Sequence, residues 1–390
     1  MENTGSLITH PYALLAVLML VPVLFLNLEK WTKWKVFDYL PPIVWIFLFP
    51  VILSGFKIIP TESPTYSTFK AFGVPMFIIL MLLDVDIRAS LKVAFRSIGV
   101  LVMGAFGVVI GGVFSFWLLK GQLAEEAWRA FGALAGSWIG GTGNLAAVAE
   151  MVETPPSMLG LVVIADIFIF LFYFPLLFIS KRWSKGFAKF SGVREDEAAE
   201  LEQAIGNLEE KTDSVHFRDV LTLFGVGFIL IWAIRSFAGI LPEVGEILTA
   251  KTWEFLILTT VALGLASTPL RKTPGTKALS MALVYVYMSM MGAQADISQA
   301  ATAPFFLIAG VITIAVHLVF IVLGAKLFRV DVHLTAIASV ASIGGAASSP
   351  IVAEYHRKEL VPVAILLALF GYALGNYLGY IAAVLCRLVL

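Results

Sequence analysis

Twelve apolar segments, separated by polar or charged links, run along this chain and constrain its fold more than any other feature. A helix that crosses the hydrocarbon of a bilayer needs ~20 mainly apolar residues. The segments are residues 11–26, 40–56, 72–83, 98–119, 131–153, 158–180, 220–240, 253–266, 278–291, 304–327, 334–355 and 361–390. We therefore predict an all-α polytopic membrane protein.

Composition and charge exclude several classes of function. Hydrophobic residues make up 59% of the chain and charged residues 14%, whereas soluble domains carry roughly 25% charged residues. The net charge of zero gives no reason to expect a nucleic-acid partner. The single cysteine, Cys386, excludes an internal disulfide framework and a cysteine-based zinc site. Residues 1–10 lack the basic region of a cleaved signal, so the first segment is expected to be retained as a span.

Two of the segments, 131–153 and 334–355, are interrupted by glycine and small polar residues. The first break consists of Gly140, Gly141, Thr142, Gly143 and Asn144, and the second contains Gly344, Gly345, Ser348 and Ser349. A broken helix at membrane depth is tolerated only where it is buried in protein or lines a wet cavity. Paired breaks in two halves indicate the binding site of a transporter, and the alternative is glycine used for close packing. Because polar residues occur at both breaks, we predict that these residues bind substrate.

The two halves of the chain match each other around the breaks. Aligning Gly140 with Gly344 pairs Glu150 with Glu354 and sets Asn144 opposite Ser348. This predicts a first membrane repeat over residues 1–181 and a second over residues 218–390. The charged loop between them, residues 182–217, is expected to be cytoplasmic, with a short amphipathic helix over 194–211.

Loop charges favour a topology in which the two broken segments are hairpins. Cytoplasmic flanks are enriched in Lys and Arg, and twelve crossings would leave the basic central loop outside. Two hairpin arms of ~11 residues each reach about 16 Å, roughly to mid-membrane. About ten transmembrane helices then remain, with the basic loops inside. Five crossings per half require the repeats to be inverted. A discontinuous crossing helix in place of either hairpin stays open as the alternative.

Ionisable residues inside apolar segments are functional candidates, because lipid disfavours their charge. Asp166 lies near the middle of segment 158–180, where its carboxylate could coordinate Na⁺ or carry a proton. The alternative is a structural hydrogen bond to the backbone of the broken hairpin. His317 lies mid-segment in 304–327 and could carry a proton, or it could be a buried neutral ring bonded to a backbone carbonyl.

Three further polar residues complete the candidate set. Glu150 and Glu354 follow their glycine pairs near the predicted membrane surface, which allows either a coupling-ion role or a solvated helix end. Asn376 in the last segment is the best candidate on that helix for contacting substrate, whereas its neighbouring glycines are expected to serve packing. The chain has no P-loop, so an ATP-driven pump is not predicted.

Three stretches, residues 137–144, 342–347 and 369–379, resemble the uncharacterised YjcL-like family of bacterial integral membrane proteins, and the resemblance covers essentially the whole chain. That family is grouped with cation:proton antiporters, bile acid:sodium symporters and glutamate:sodium symporters. The resemblance implies a secondary transporter with inverted repeats, a core that moves against a dimerising scaffold, and a substrate site at the re-entrant elements. The paired-acid signature of electrogenic antiporters is not matched.

These observations predict an ion-coupled (Na⁺ or H⁺) secondary transporter, not an enzyme, in the bacterial inner membrane. The expected substrate is a small organic solute: a carboxylate, an amino acid or a short peptide. A homodimer is expected, and the one cofactor considered is Na⁺ at Asp166. Two alternatives remain. One is a membrane-embedded enzyme, for which His317 and Asp166 are the only candidate catalytic residues. The other is a non-transporting partner subunit that uses the central loop as its interface.

Overall fold

The structure, a computed structural model, describes residues 5–39, 41–193, 214–295 and 303–390, and these residues are nearly all helical. The predicted amphipathic helix over 194–211 lies outside the described residues. In the first half the helices are α1 (Pro11–Thr32), α2 (Val36–Tyr39), α3 (Pro42–Gly55), α4 (Pro64–Leu83), α5 (Ile87–Leu119), α6 (Ala127–Gly140), α7 (Thr142–Met151), α8 (Pro156–Ser180) and α9 (Ser184–Ser191). In the second half they are α10 (Phe217–Ala238), α11 (Ala250–Leu265), α12 (Thr276–Gln294), α13 (Ala303–Phe328), α14 (Val332–Ile343), α15 (Gly345–His356) and α16 (Val361–Leu388).

Local sequence signals explain where several helices begin. Proline occupies one of the first two positions of α1, α3, α4, α8 and α16, where its fixed φ suits the helix and its missing N–H loses no bond. The hydroxyls of Ser63 and Thr249 and the carboxylate of Asp331 accept hydrogen bonds from backbone N–H groups in the first turns of α4, α11 and α14. These caps satisfy donors that the helix itself leaves unpaired.

The described helices confirm a membrane protein with several apolar spans. Seven of them are long and apolar enough to cross a bilayer: α1, α4, α5 from Ala94 onward, α8, α10, α13 and α16. The other three predicted crossings coincide with α3, α11 and α12. Of these, α3 has 14 residues and α11 has 16, while α12 is interrupted by Ser and Tyr side chains. The predicted number of ten crossings and the inversion of the repeats therefore stay predictions.

The first broken segment folds back on itself. A Cβ built on Gly136 of α6 would lie 2.9 Å from Cγ2 of Val148 in α7, whereas one straight helix would separate these residues by about 18 Å. At the open end, the Thr154 hydroxyl donates to the carbonyl of Arg129 at 3.3 Å. The Arg129 guanidinium in turn donates to the carbonyl of Val152. The helices α6 and α7 thus form an antiparallel pair, the first hairpin.

The second broken segment has the same shape. His333 lies in the first turn of α14 and His356 ends α15, yet their Nδ1 atoms are 3.0 Å apart. A straight helix would separate them by about 35 Å. We call α14 and α15 the second hairpin. The sequence left two alternatives for each broken segment, a hairpin or a discontinuous crossing helix. In the described residues, both segments are hairpins.

Small residues allow the hairpins and the long helices to pack closely. Along α5, the glycines 99, 104, 107 and 111 lie against residues 328, 321, 320 and 313 of α13, so the two helices run antiparallel. On α16, a Cβ at Gly379 would lie 2.9 Å from the Cα of Gly136, and one at Gly375 would lie 2.6 Å from Nδ2 of Asn144. The α16 glycines therefore pack against the first hairpin, as close approach of helices in lipid requires.

The turn of the first hairpin depends on a glycine conformation, which gives a test of the fold. Gly141 has φ 79° and ψ −172°, a region that residues with a Cβ adopt only under strain. Gly141→Ala should therefore destabilise the protein by roughly 1–3 kcal/mol, measured as a lower thermal unfolding midpoint in detergent. Gly112→Ala is the matched control, since a Cβ there meets no atom within 4 Å. Equal midpoints for the two variants would contradict this reading of the turn.

Candidate functional site

The turns of the two hairpins meet at one point, which we call the crossing. A Cβ built on Gly141 would lie 3.4 Å from the Cα of Gly345. Gly345 also has a positive φ, of 61°. The hydroxyl of Ser342 donates to the carbonyl of Trp138 at 2.9 Å, a bond between residues 204 positions apart, which is the offset of the predicted repeat. The structure therefore brings the two sequence-predicted breaks together, although residues over 200 positions apart form them.

Four helix termini converge at the crossing. The helices α6 and α14 end there, and α7 and α15 begin there. Helix ends leave N–H and C=O groups without intrahelical partners, and the first residues of a helix carry partial positive charge. Two of the C-terminal carbonyls, of Ser137 and Val340, accept bonds from Gly141 and Gly344 at 2.6 and 2.7 Å. The crossing thus combines backbone donors and acceptors within a few residues.

A chain of buried amides connects the first hairpin to α16 and α11. The Nδ2 atom of Asn144 donates to the carbonyl of Tyr372 and to Oδ1 of Asn376, both at 2.9 Å. Nδ2 of Asn376 donates to the Thr259 hydroxyl at 2.9 Å. All three polar side chains are 0% exposed. The Oδ1 atom of Asn144 has no hydrogen-bond partner among the described residues, so one buried acceptor faces Gly140 unsatisfied.

The other predicted substrate residues surround the crossing with different degrees of access. Gly140, Gly141, Gly143 and Ser349 are buried, whereas Thr142, Gly344 and Ser348 are half-buried. A Cβ at Gly143 would lie 2.5 Å from the sulfur of Met81, which packs against the start of α7. The Ser349 hydroxyl bonds back to the carbonyl of Gly345 within its own helix, so it is occupied locally.

Asp166 supports the tip of α6. Its Oδ1 atom accepts a hydrogen bond from the indole nitrogen of Trp138 at 2.7 Å, and the Ser137 hydroxyl also bonds to it. Both donors are neutral. The alternative prediction for Asp166 placed its hydrogen bond on the hairpin backbone; the structure instead has hydrogen bonds to the side chains of Trp138 and Ser137. A carboxylate held only by neutral donors still leaves room for a proton or a cation as counter-charge.

His317 is completely buried and its hydrogen bonds define its tautomer. Its Nδ1 lies 2.9 Å from the carbonyl of Gly104, which can only accept, so Nδ1 carries the proton. Nε2 lies 2.8 Å from the Ser339 hydroxyl, which donates to it. The Tyr173 hydroxyl donates to Ser339 in turn. A neutral ring satisfies every group in this chain, which joins α5, α8, α13 and α14, and it matches the predicted alternative of a histidine bonded to a backbone carbonyl.

Glu150 is the central residue of an ion cluster at one end of the first hairpin. Its carboxylate is 3.2 Å from Nζ of Lys70 on α4 and 3.2 Å from Nζ of Lys251 on α11. The hydroxyl of Tyr287 on α12 donates to it at 3.3 Å. Glu150 is 6% exposed, so it is not a solvated helix end. Glu354, its equivalent in the second half, is exposed. The repeat pairs these two residues, but their surroundings differ.

Sequence reasoning missed four residues that contact this region. Thr259 and Tyr372 touch the predicted asparagines, and Lys70 and Lys251 hold Glu150. Each lysine lies just before an apolar segment, at residues 72–83 and 253–266, and this flanking charge is the signal that the sequence offered. Thr259 offered none, because single threonines are common in apolar helices.

A second charged region lies at the opposite end of α4. Asp84 accepts a hydrogen bond from the Thr276 hydroxyl at 3.4 Å, and Asp86 pairs with Arg271 at 2.8 Å. A cavity of about 280 Å³ lies beside this pair, between the α4–α5 link and the residues that follow α11. Burial raises the pKa of the Asp84 carboxyl above its ordinary range, and Lys277, Thr276 and Arg271 offset part of that rise.

These features define a class: a polytopic helical membrane protein in which two broken helices meet between the long spans. The chain belongs to the DUF819 family, described as proteins of unknown function, whose model matches residues 14–389. It is 27% identical over 341 residues to the uncharacterized membrane protein YjcL of Bacillus subtilis (strain 168), covering 84% of this chain and 85% of that protein. The resemblance to YjcL-like proteins is confirmed, and the wider grouping with antiporters and symporters stays a prediction.

The ion cluster gives a stability test. Glu150→Gln removes the negative charge from between two ammonium groups, whose side chains are 23% and 38% exposed. We expect a loss of roughly 1–3 kcal/mol, below the 3–5 kcal/mol of a fully buried pair, seen as a lower thermal midpoint in detergent. Glu153→Gln is the matched control, because that carboxylate is 55% exposed and 3.7 Å from Lys251. A loss as large for Glu153→Gln would show that Glu150 has no special position.

The raised pKa of Asp84 gives a pH test. A carboxyl whose pKa is higher in the folded protein contributes stability in acid and loses it as the pH rises through the folded pKa. Asp84→Asn should therefore be more stable than the wild type at about pH 8, with the difference shrinking at about pH 4. Asp86→Asn, which removes the ion pair with Arg271, should instead lower the midpoint at about pH 8. Destabilisation by Asp84→Asn at about pH 8 would contradict the assignment.

Proposed function

We propose that this protein is an ion-coupled secondary transporter that carries a small organic solute across the bacterial cytoplasmic membrane. The observation that carries the proposal is the contact between two repeat-related broken hairpins, where a Cβ built on Gly141 would lie 3.4 Å from the Cα of Gly345. Broken helices whose termini converge inside a membrane protein supply the backbone donors and acceptors that transporters use to bind solutes and ions.

The chemistry of the crossing favours an anionic or zwitterionic solute. The first turns of α7 and α15 point backbone N–H groups and positive helix ends toward the same place, which attracts a carboxylate. Thr142 and Ser348 are half-buried there and offer hydroxyls. Asn144 and Asn376 fix the polar wall behind them through their mutual hydrogen bond. A carboxylate, an amino acid or a short peptide fits this set of donors.

Asp166 is the proposed coupling-ion residue. Its carboxylate lies one hydrogen bond from the tip of the first hairpin, through the indole of Trp138. Because its two donors are neutral, binding of Na⁺ or H⁺ would supply the missing positive charge. Ion binding at Asp166 would then reach the crossing directly, since the carbonyl of the same Trp138 accepts from Ser342 of the second hairpin.

Alternating access would come from movement of the two hairpins, with α8 and α16, past the first two spans of each half. Such a movement must break contacts that tie the first hairpin and α16 to α11. They include the hydroxyl of Thr252 with the carbonyl of Met151, Lys251 with Glu150, Asn376 with Thr259, and the hydroxyls of Thr260 and Tyr377. The apolar faces of α1 and α10, largely unburied in one chain, would contact lipid or the second copy of a homodimer.

Two other functions are favoured less. A membrane-embedded enzyme built on His317 and Asp166 would need these groups together, but His317 bonds to Gly104 and Ser339, and Asp166 bonds to Trp138. A non-transporting partner subunit would use the charged loop over 182–217 as its interface. It would give no reason for unsatisfied polar groups at the crossing, such as Oδ1 of Asn144.

Uptake into proteoliposomes tests the proposal, after a thermal-shift screen of carboxylates, amino acids and short peptides with and without Na⁺. We expect Asn144→Ala to weaken the binding of a stabilising solute by at least about tenfold, the effect of losing ~1.4 kcal/mol. We expect Asp166→Asn to remove the dependence of that binding on Na⁺ or on pH. Glu153→Gln, on an exposed carboxylate, is the control and should behave as wild type.

Two negative results would contradict the proposal. It is wrong if no candidate solute enters the proteoliposomes under either an Na⁺ or a pH gradient. The role of Asp166 is wrong if Asp166→Asn changes neither the solute-induced stabilisation nor its ion dependence.

A further inference from the structure

The open end of the second hairpin is closed by two buried histidines that the proposed transport site does not use. His333 is 7% exposed and His356 is 3% exposed. Their Nδ1 atoms are 3.0 Å apart. Nε2 of His356 lies 3.0 Å from the carbonyl of Leu177 on α8, and Nε2 of His333 lies 3.4 Å from the hydroxyl of Ser184 on α9. The pair therefore ties both arms of the hairpin to two neighbouring helices.

The partners determine where the protons are. The Leu177 carbonyl can only accept, so Nε2 of His356 carries a proton, and its Nδ1 is an acceptor in the neutral ring. His333 must then donate through Nδ1, which leaves its Nε2 to accept from the Ser184 hydroxyl. With both rings neutral, one directed chain of hydrogen bonds runs from Ser184 through both rings to Leu177.

This series of hydrogen bonds can accept one additional proton, but not two. A proton on Nε2 of His333 is satisfied if the Ser184 hydroxyl turns and accepts. A proton on Nδ1 of His356 would face the N–H of His333 at 3.0 Å, so the contact between the rings would break. The acceptor site for an added proton is therefore Nε2 of His333.

The charged groups facing the pair disfavour the added proton. Lys181 donates to the carbonyl of Tyr355 at 2.7 Å, beside His356. Lys181 acts on both histidines as a like charge, and Arg357 acts so on His333. Asp331 is the opposing negative charge, but its carboxylate already caps α14 by accepting from Leu334 at 2.7 Å. A charged His333 would therefore be buried near two cations, Lys181 and Arg357, while the carboxylate of Asp331 is already used to cap α14.

The first hairpin provides the comparison. At the repeat offset of 204 residues, Arg129 corresponds to His333 and Val152 to His356. There the Arg129 guanidinium donates to the carbonyl of Val152. An arginine keeps its charge at every physiological pH, whereas an unperturbed histidine titrates near 6.5. The two hairpins are therefore closed in the same place by one group that does not titrate and one that does.

We infer that His333, His356 and Ser184 form a binding site for a single proton, and that proton binding releases the open end of the second hairpin from α8 and α9. The neutral chain holds the hairpin closed at and above neutral pH. As the pH falls, protonation of His333 places an unbalanced charge among Lys181 and Arg357, and the hairpin end opens to let water reach it. This inference is independent of whether the protein transports a solute.

Hydrogen exchange on the full chain in lipid nanodiscs tests the proton site. Exchange rates of α15 amides, corrected for the intrinsic effect of pH, are compared at about pH 7.5 and about pH 5.5, on either side of the ordinary histidine pKa. We expect the corrected rates in α15 to rise by at least about threefold at the lower pH. The amides of α7, in the first hairpin, are the internal control and should not change. Equal rates in α15 at both pH values would overturn the proposal.

Variants separate the histidines from other groups. The double variant His333→Asn, His356→Gln keeps one amide donor near each bonding position but removes titration, so its α15 exchange should be independent of pH. His216→Asn is the matched control, because that histidine has a 69% exposed side chain and caps α10, a position that asparagine also serves. The pH response of the wild type should persist in it. The same response in the double variant would overturn the proposal.

Two further measurements test the tautomers and the competing ligand. Nitrogen NMR of histidine-labelled wild type should find His333 protonated at Nδ1 and His356 at Nε2 near pH 8; any other pair of tautomers contradicts the chain. Zn²⁺ alone is the competing ligand, since imidazole nitrogens bind it. If micromolar Zn²⁺ protects α15 in the wild type but not in the double variant, the pair is a metal site and the proton assignment is wrong.

Discussion

Unpaired backbone groups are the constraint on which this structure depends. Hydrocarbon offers no hydrogen bonds, so a helix that stops at mid-membrane must find partners for its ends within the protein. The protein meets this demand by bringing four helix ends to one crossing, where the Ser342 hydroxyl satisfies the carbonyl of Trp138. Glycines at 141 and 345 let the two turns approach closely, since a Cβ built on Gly141 would already lie 3.4 Å from the Cα of Gly345. The same arrangement that satisfies the backbone creates the polar centre of the molecule.

The two halves use one scaffold for different chemistry. Asn144 is buried against Asn376, whereas its equivalent, Ser348, is half-buried. Glu150 is held by two lysines, and Glu354 is exposed. This divergence is expected if the two hairpins face different sides of a membrane, because each then meets different partners at its open end. The internal match thus concerns backbone shape, whereas the side chains around the two hairpins differ.

Sequence reasoning predicted the elements well where a single local signal decided them. The breaks and the order of the helices follow from glycine and apolar length, both of which are readable from the chain. It missed Thr259 and Tyr372 because neither residue is unusual in its own segment. It also left Glu150 undecided, since its burial depends on Lys70 and Lys251, which come from two other helices.

By itself the sequence determined that this protein is helical, that it lies in a membrane and that two of its helices are broken. Length and hydropathy decide these properties, because lipid allows few structures for an apolar segment. Only the tertiary structure decided that the broken segments are hairpins, that their tips touch, and that His333 meets His356 at 3.0 Å. Those contacts join residues far apart in the chain, and their energies depend on packing that no local pattern encodes.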